Sequence, residues 1–152
     1  MKNWNRFTAF IIAALLTLSL AGCGAEDFTA ESAEALVSEV LEKVEFQQEL
    51  TELPESLLGT AYDLIDGVEI EAYTAGYPAD RFALFFSEDS GKLAEVKTML
   101  EAKVQELIDT YSGYDTTQVG KLENAIIETR GNYVIFIVTD DYETAKELLK
   151  AS

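Results

Sequence analysis

The sequence predicts an α+β fold in which an N-terminal helix precedes a ββα-ββα core, with helices packed on a four-stranded mixed sheet. Two observations carry this prediction. Phe82–Phe86 and Tyr133–Val138 are apolar at every position, which is typical of central strands that are buried on both faces. Each segment follows a shorter strand-like stretch and precedes a helical pattern, so the order of elements repeats along the chain.

The N-terminal helix is predicted from a cap residue and a periodic apolar stripe. Thr29 is a favourable N-cap residue. Apolar side chains then recur at helical spacing while glutamates occupy the other faces, at Leu36, Val37, Val40, Leu41 and Val44. Pro54 separates this helix from a less regular segment in which Leu57-Leu58-Gly59 suggests a turn and a short helix.

The first ββα unit begins at Val68–Ala72, where apolar and acidic side chains alternate as in a strand with one buried face. Gly76-Tyr77-Pro78 predicts the turn into the first central strand. A long helix follows, which we expect Gly113 to end. Its apolar stripe comprises Leu93, Val96, Leu100, Val104, Leu107, Ile108 and Tyr111.

The second unit repeats this order after a loop. Ala125–Ile127 predicts a strand, Arg130-Gly131-Asn132 a tight turn, and the final helix buries Ala145, Leu148 and Leu149. The two strand-to-helix junctions also look alike, with Phe86-Ser87-Glu88-Asp89 matching Val138-Thr139-Asp140-Asp141. Because helix capping alone selects such residues, this likeness is compatible with duplication without establishing it.

Composition excludes whole classes of function. The chain has 152 residues, of which 28 are acidic, 11 are basic and none is histidine. Such a surface repels phosphate backbones, so we expect no nucleic-acid partner. The absence of histidine removes Ser-His and Cys-His catalysis and most zinc sites.

The first 22 residues have the layout of a secretory signal peptide, which is removed. Lys2 and Arg6 form a positive start, and the apolar stretch Phe7–Leu20 is shorter than the ~20 residues that span a bilayer. Leu20-Ala21-Gly22-Cys23 resembles the lipobox of bacterial lipoproteins, which implies cleavage before Cys23 and its lipidation. A structural role for this cysteine, the only one in the chain, is the alternative.

The expected mature chain therefore has two parts. Residues 23–28 comprise the lipidated cysteine and a short tether, and residues 29–152 form a single α+β domain. Two acyl chains carried by diacylglycerol hold a protein stably on a membrane, whereas a single chain does so only marginally. Because the first 22 residues contain two basic residues and no acidic one, the remainder carries 9 basic and 28 acidic side chains.

Three features together resemble a family of small bacterial lipoproteins known as domain of unknown function 4358, common in Gram-positive anaerobes. They are the lipobox at Cys23, the segment Ala79-Asp80-Arg81-Phe82-Ala83-Leu84-Phe85, and Asn124-Ala125-Ile126-Ile127 leading into Gly131-Asn132-Tyr133-Val134. The resemblance covers most of the mature chain and implies the outer face of the cytoplasmic membrane, facing the cell wall. It implies no activity, and members often carry an acidic residue at the position of Arg81, so no role for Arg81 follows from it.

The first candidate site is an acidic pole. Glu88, Asp89, Asp140 and Asp141 follow the two central strands, and if those strands run parallel, the four carboxylates share one end of the sheet. Clustered carboxylates are weak candidates for calcium ligands, although the spacing matches no EF-hand loop. The alternative is that aspartates at the two junctions cap the following helices while the other acidic side chains are solvated.

The second candidate site involves arginine and tyrosine. Arg81 and Arg130 are the only arginines after the signal peptide, and both fall at hairpin turns, with Tyr77 and Tyr133 nearby. Guanidinium groups beside tyrosines on an otherwise acidic protein suit a carboxylate, a phosphate or a wall sugar. The alternative is that each arginine pairs with a neighbouring acid, a contribution of ~0–1 kcal/mol.

Enzymatic function has little support. Pairs of carboxylates suitable for glycoside hydrolysis arise by chance among 28 acidic residues, and the chain contains neither a P-loop nor a G-x-G-x-x-G motif. No catalytic residue and no cofactor are therefore predicted. The aromatic residues of the central strands are expected to be core rather than ligand-stacking residues; they are Phe82, Phe85, Phe86, Tyr133 and Phe136.

The sequence thus predicts a lipid-anchored, extracytoplasmic membrane protein that binds an unidentified protein or cell-wall component. Calcium binding at the acidic pole is one alternative, and a carboxylate-based envelope hydrolase is a weaker one. If the N-terminal helix leaves the second sheet face open, that face becomes a partner surface.

Overall fold

The computed structural model describes residues 28–152. The predicted signal peptide, Cys23 and the tether up to Asp27 lie outside the described residues. The elements, numbered in chain order, are α1 (Ala30–Lys43), β1 (Thr51–Glu52), α2 (Glu55–Ala61), β2 (Glu69–Thr74), β3 (Arg81–Phe86), α3 (Ser90–Ser112), a 3-10 turn (Thr116–Gln118), α4 (Val119–Glu123), β4 (Ile126–Arg130), β5 (Tyr133–Val138) and α5 (Tyr142–Ala151). Within residues 28–152, none of the helices combines the length and apolarity needed to cross a membrane.

The α+β class is confirmed, but the four-stranded mixed sheet is wrong. The sheet has five strands in the order β1-β2-β3-β5-β4, and every neighbouring pair is antiparallel. β1 contains two residues, too few for any alternation to be visible in the sequence. β5 is apolar on both faces and lies beside β3 in the interior of the sheet. α3 carries the chain back before β4 begins, and β4 and β5 form a hairpin, so β5 runs antiparallel to β3.

Both faces of the sheet are covered by helices, so the core has two layers. One layer joins the sheet to α2 and α3 through the inward side chains of Ala83, Phe85, Val134 and Phe136. The other joins it to α1 and α5 through Phe82, Leu84, Ile135 and Ile137. The prediction that the aromatic residues of the central strands belong to the core is confirmed, and the second face is not left open for a partner.

Several helix boundaries follow from the predicted cap residues. The Thr29 hydroxyl accepts a hydrogen bond from the Ser32 amide at the start of α1, and Pro54 precedes α2. Gly113 ends α3, with its own N–H bonded to carbonyls of the last turn. Between α3 and β4, where the sequence suggested a loop, the chain forms the 3-10 turn and α4.

The two similar junctions share a local structure as well as a sequence. The Ser87 hydroxyl donates to the Gly67 carbonyl at 2.9 Å and accepts from the amide of the aspartate two residues later at 3.2 Å. The Thr139 hydroxyl does the same, donating to the Glu45 carbonyl at 2.6 Å and accepting at 3.0 Å. Each buried hydroxyl therefore ties the end of a central strand to the loop before an outer element, which accounts for the sequence likeness without duplication.

The two ends of the sheet differ, and we name them after the ends of β5. Arg81 pairs with Val138 at the Val138 end, and Phe86 pairs with Tyr133 at the Tyr133 end. The described chain starts at the Tyr133 end, where the Phe28 ring packs edge-on against Tyr133 with centroids 5.4 Å apart. Gly131, in the β4–β5 turn, has φ +51°, and a Cβ there would lie 2.9 Å from the Phe28 carbonyl oxygen.

The contact between Phe28 and Gly131 leads to a prediction about stability. Gly67 also has a positive φ, +79°, but no atom lies within 4 Å of its Cβ position. Gly67→Ala should therefore cost only the backbone strain, about 1–2 kcal/mol, whereas Gly131→Ala must in addition displace Phe28. Urea unfolding should give a larger loss for Gly131→Ala, and equal losses would show that the Phe28 contact contributes nothing.

Candidate functional site

The antiparallel pairing separates the four residues of the predicted acidic pole. Glu88 and Asp89 lie at the Tyr133 end, and Asp140 and Asp141 follow β5 at the Val138 end. The expected common pole is therefore wrong, because it required parallel central strands. Among residues 28–152, no group of three or more His, Cys, Asp or Glu side chains could hold a metal ion.

Two of these acidic side chains accept hydrogen bonds from the backbone instead. Asp89 caps α3 by accepting from the Gly91 amide at 2.8 Å, as the alternative interpretation expected. Asp141 accepts from the Glu45 amide at 3.1 Å, and this hydrogen bond is the main reason that the pKa of Asp141 lies below its ordinary value. Both carboxylates therefore stabilise junctions.

The two arginines are separated in the same way. Arg130 lies at the Tyr133 end, where its Nε donates to Glu128 Oε1 at 2.6 Å and its Nη1 donates to the Ser152 carbonyl at 2.8 Å. It thus fastens the last residue of the chain to β4. Tyr133, also at this end, is buried between Phe28 and Phe86. Neither residue forms a site with Arg81 or Tyr77.

Arg81 and Tyr77 do share a neighbourhood at the Val138 end. The Arg81 Nε donates to the Ala79 carbonyl at 2.9 Å. The pKa values of Tyr62 and Tyr111 are raised by burial, and the positive charge of Arg81 partly opposes both shifts. The charge of Arg81 therefore acts on both of these phenol groups, while Tyr77 packs with other tyrosines.

A buried ion pair, Asp80 with Lys121, lies at the same end of the sheet. Lys121, in α4, directs its Nζ at Asp80 Oδ2 and Asp140 Oδ2, each 3.0 Å away, and at Gln47 Oε1 at 3.3 Å. Asp80, immediately before β3, is fully buried, and the Lys121 side chain is 1% exposed. The ammonium group thus has three acceptors for its three protons, which such burial requires.

Gln118 connects the ion pair to the surface. Its Oε1 accepts from the Ala79 amide at 3.1 Å. Its Nε2 donates to Gln47 Oε1 at 3.3 Å and to Asp115 Oδ2 at 3.2 Å. A continuous polar network therefore runs from the ion pair to Asp115, although Asp80 Oδ1 has no hydrogen-bond partner among the described residues.

Three tyrosines at the end of α3 and in the turn before β3 form what we call the tyrosine surface: Tyr77, Tyr111 and Tyr114. Tyr77 and Tyr114 are 52% and 62% exposed and stack with centroids 6.3 Å apart and an interplanar angle of 26°. Tyr111 is buried beneath them, with centroids 6.1 and 5.2 Å from theirs. Five large apolar side chains are exposed among the described residues, and these two are the aromatic ones.

Asp115 holds one ring of the tyrosine surface, that of Tyr77. Its Oδ1 accepts from the Thr117 hydroxyl and amide, and its Oδ2 accepts from the Tyr77 hydroxyl at 2.5 Å. The hydrogen bond from the Thr117 hydroxyl contributes most to lowering the pKa of Asp115 to about 2, and the one from Tyr77 contributes next. The same bond to Asp115 raises the pKa of Tyr77 to about 12. A ring held in this way loses little conformational entropy when a ligand stacks on it.

Sequence reasoning found part of this site. It identified Tyr77, Arg81 and Asp140 under two separate hypotheses, and placed Tyr111 in the apolar stripe of a helix. It missed Lys121, because the loop expected between Gly113 and Ala125 is instead a 3-10 turn and α4. A usable signal was Asp80, an acid directly before a strand that is apolar on both faces, since a carboxylate there is buried and needs a cationic partner.

Comparison with known proteins identifies one family. The model of a family described as "Domain of unknown function (DUF4358)" matches residues 38–139, which confirms the resemblance noted from the sequence. That range contains the tyrosine surface, Asp80 and Lys121, and it ends one residue before Asp140. No curated protein and no solved structure matches the chain.

The buried ion pair generates a prediction about stability. Lys121→Met leaves the Asp80 carboxylate buried without its cation, so the free energy of unfolding should fall by about 3–5 kcal/mol. Lys103→Met is the matched control, because Lys103 pairs with Glu106 at 2.9 Å on the surface and should cost ~0–1 kcal/mol. Denaturant unfolding measures both. Similar losses in the two variants would mean that Lys121 contributes no more than a surface lysine.

Asp115 generates a prediction about pH. Because its folded pKa of about 2 lies below the ordinary 3.8, the carboxylate stabilises the fold above pH ~4, and this contribution is lost as the pH falls through ~2. Thr117→Val should raise the Asp115 pKa more than Tyr77→Phe does, since the Thr117 hydroxyl contributes most. Carboxyl-carbon NMR titration tests this, and a wild-type midpoint near 3.8 would contradict it.

Proposed function

We propose that this chain, which belongs to the DUF4358 family, is a membrane-anchored extracytoplasmic lipoprotein whose domain binds a component of the cell envelope. The tyrosine surface is the binding surface. The observation that carries this proposal is that Tyr77 and Tyr114 are more than half exposed and stack on one another, with the Tyr77 hydroxyl bonded to Asp115.

Fixed and exposed aromatic rings are suited to recognition. Tyrosine offers a large flat apolar face together with a hydroxyl, and aromatic residues contribute strongly to the centres of binding interfaces. Tyr77 is held by Asp115 at 2.5 Å, and both exposed rings rest on Tyr111, which is 4% exposed. A ligand therefore meets a surface that is already ordered, which lowers the entropic cost of binding.

The polar groups beside the rings support binding rather than catalysis. Asp115 accepts four hydrogen bonds, which uses the lone pairs of both carboxylate oxygens. Its pKa of about 2 makes it a poor general acid or base near neutral pH. The Lys121 ammonium is likewise engaged with three acceptors. These groups hold the surface in shape and have no spare capacity for proton transfer.

The membrane anchor rests on the sequence. Leu20-Ala21-Gly22-Cys23 has the lipobox pattern, and diacylglycerol on Cys23 would hold the domain at the outer face of the cell membrane. The strong negative charge of the remaining chain keeps the domain away from anionic headgroups.

The anchor and the binding surface are tested in one preparation. The full chain is expressed in a Gram-positive host, and the N-terminal peptide is analysed by mass spectrometry. We expect a chain that begins at Cys23 and carries diacylglycerol, and a Cys23→Ala variant without the lipid. A chain that still begins at Met1 with a free thiol would overturn the anchor.

The purified protein is then sedimented with cell envelopes stripped of their own proteins. Wild type should bind, and Tyr114→Ala should bind at least tenfold more weakly. Leu64→Ala is the matched control, because Leu64 is 64% exposed but lies outside the tyrosine surface, and it should bind as wild type does. Equal binding by all three proteins would exclude the tyrosine surface.

A further inference from the structure

The position at which the chain enters the domain bears on what the tyrosine surface can reach. We infer that the tyrosine surface is the membrane-distal pole of the anchored domain and that its ligand is an uncharged glycan strand of the cell wall. This inference rests on the proposed function, because it takes the anchor at Cys23 and binding at the tyrosine surface as given.

The described chain begins beside the β4–β5 turn. Phe28 packs on Tyr133, and its carbonyl lies against Gly131. Cys23 precedes Phe28 by five residues, and extended chain spans at most ~3.6 Å per residue, so the anchor lies within about 18 Å of Phe28. The Tyr133 end of the sheet is therefore the end closest to the membrane.

The tyrosine surface lies at the other end of the molecule. α3 starts at Ser90, just after the Phe86 end of β3, and ends at Ser112, between Tyr111 and Tyr114. A helix of 23 residues is about 35 Å long at ~1.5 Å per residue. The surface is thus separated from the anchored end by the length of α3, roughly twice the reach of the tether.

Charge favours an upright domain. The chain from Cys23 onward carries 9 basic and 28 acidic residues, so its sides are repelled by a membrane that contains anionic lipids. The short tether limits how far the Tyr133 end moves away, while repulsion opposes the domain lying flat. The partner of the tyrosine surface is consequently found on the wall side of the membrane rather than in the bilayer.

The same charge selects among the wall polymers. Phosphate-rich and carboxylate-rich polymers are repelled by a strongly acidic domain, whereas an uncharged glycan is not. Sugar rings present flat faces of C–H groups, which stack on aromatic rings such as Tyr77 and Tyr114. The two rings, with centroids 6.3 Å apart and each more than half exposed, place two aromatic contacts within reach of one such chain.

The hydroxyl groups next to the surface are arranged to accept hydrogen bonds. Ser112 donates its proton to the Ile108 carbonyl at 2.7 Å, and Thr117 donates its proton to Asp115. With their protons used internally, these two hydroxyls have none to donate to a ligand, and because the Thr117 oxygen already accepts from Gln118 Nε2 at 3.3 Å, Ser112 offers the freer lone pairs. That suits the many hydroxyl donors of a glycan and disfavours phosphates and carboxylates, which can only accept.

Orientation is tested with tryptophan reporters. Trp4, the only tryptophan, is removed with the signal peptide, so a single introduced tryptophan gives an unambiguous signal. The lipidated Asn132→Trp and Tyr114→Trp proteins are reconstituted in vesicles of neutral and anionic lipids that carry fluorescence quenchers on their headgroups. We expect strong quenching at position 132 and little at 114, and equal or reversed quenching would overturn the orientation. Mass analysis of Cys23 in the same sample reports the anchor separately.

The ligand is tested by amide NMR on the chain from Cys23 onward, titrated with chitotetraose, an uncharged oligomer of N-acetylglucosamine. We expect saturable shifts confined to the tyrosine surface, at least tenfold weaker binding by Tyr114→Ala, and unchanged binding by Leu64→Ala. No shifts with the oligosaccharide would overturn the glycan assignment. Tyr114-dependent shifts with peptides released from the wall, and none with the oligosaccharide, would also overturn it while leaving the proposed function in place.

Discussion

β3 and β5 lie side by side in antiparallel register, with helices packed against both faces of the pair. This pairing decides which loops meet. It brings the residues before β3 to those after β5, so Asp80 lies beside Asp140, and it brings the end of β3 to the β4–β5 turn. This register thus places the Asp80–Lys121 pair and the contacts of Arg130 at opposite ends of the sheet.

At the Val138 end, the buried polar network is joined to the exposed aromatic surface. The network that starts at the Asp80–Lys121 pair continues through Gln118 to Asp115, which holds Tyr77. Burying an ion pair seldom adds net stability, but it restricts the arrangements that its neighbours can adopt. Here the neighbours support an exposed aromatic surface, so the buried pair restricts the geometry of that surface.

At the Tyr133 end, the contacts hold the first and last described residues against the sheet. Phe28 covers Tyr133, and Arg130 holds the last residue, Ser152. Phe28 and Ser152 are therefore both held at the same end of the sheet. In the function proposed above, the Tyr133 end is the attached end and the Val138 end is the one that contacts the ligand.

The sequence by itself determined the elements and their burial. Thr29 begins a helix and Gly113 ends one through local capping, and the fully apolar strands are indicated by their periodicity. Both signals are properties of short segments. It also brought Tyr77 and Arg81 together, since they lie four residues apart. Strand direction and long-range pairs were decided only in the tertiary structure, because a strand is equally apolar in either direction. For that reason the expected grouping of Asp89 with Asp141 and of Arg81 with Arg130 was wrong, and the partnership of Asp80 with Lys121, 41 residues apart, became visible only once the sheet was assembled.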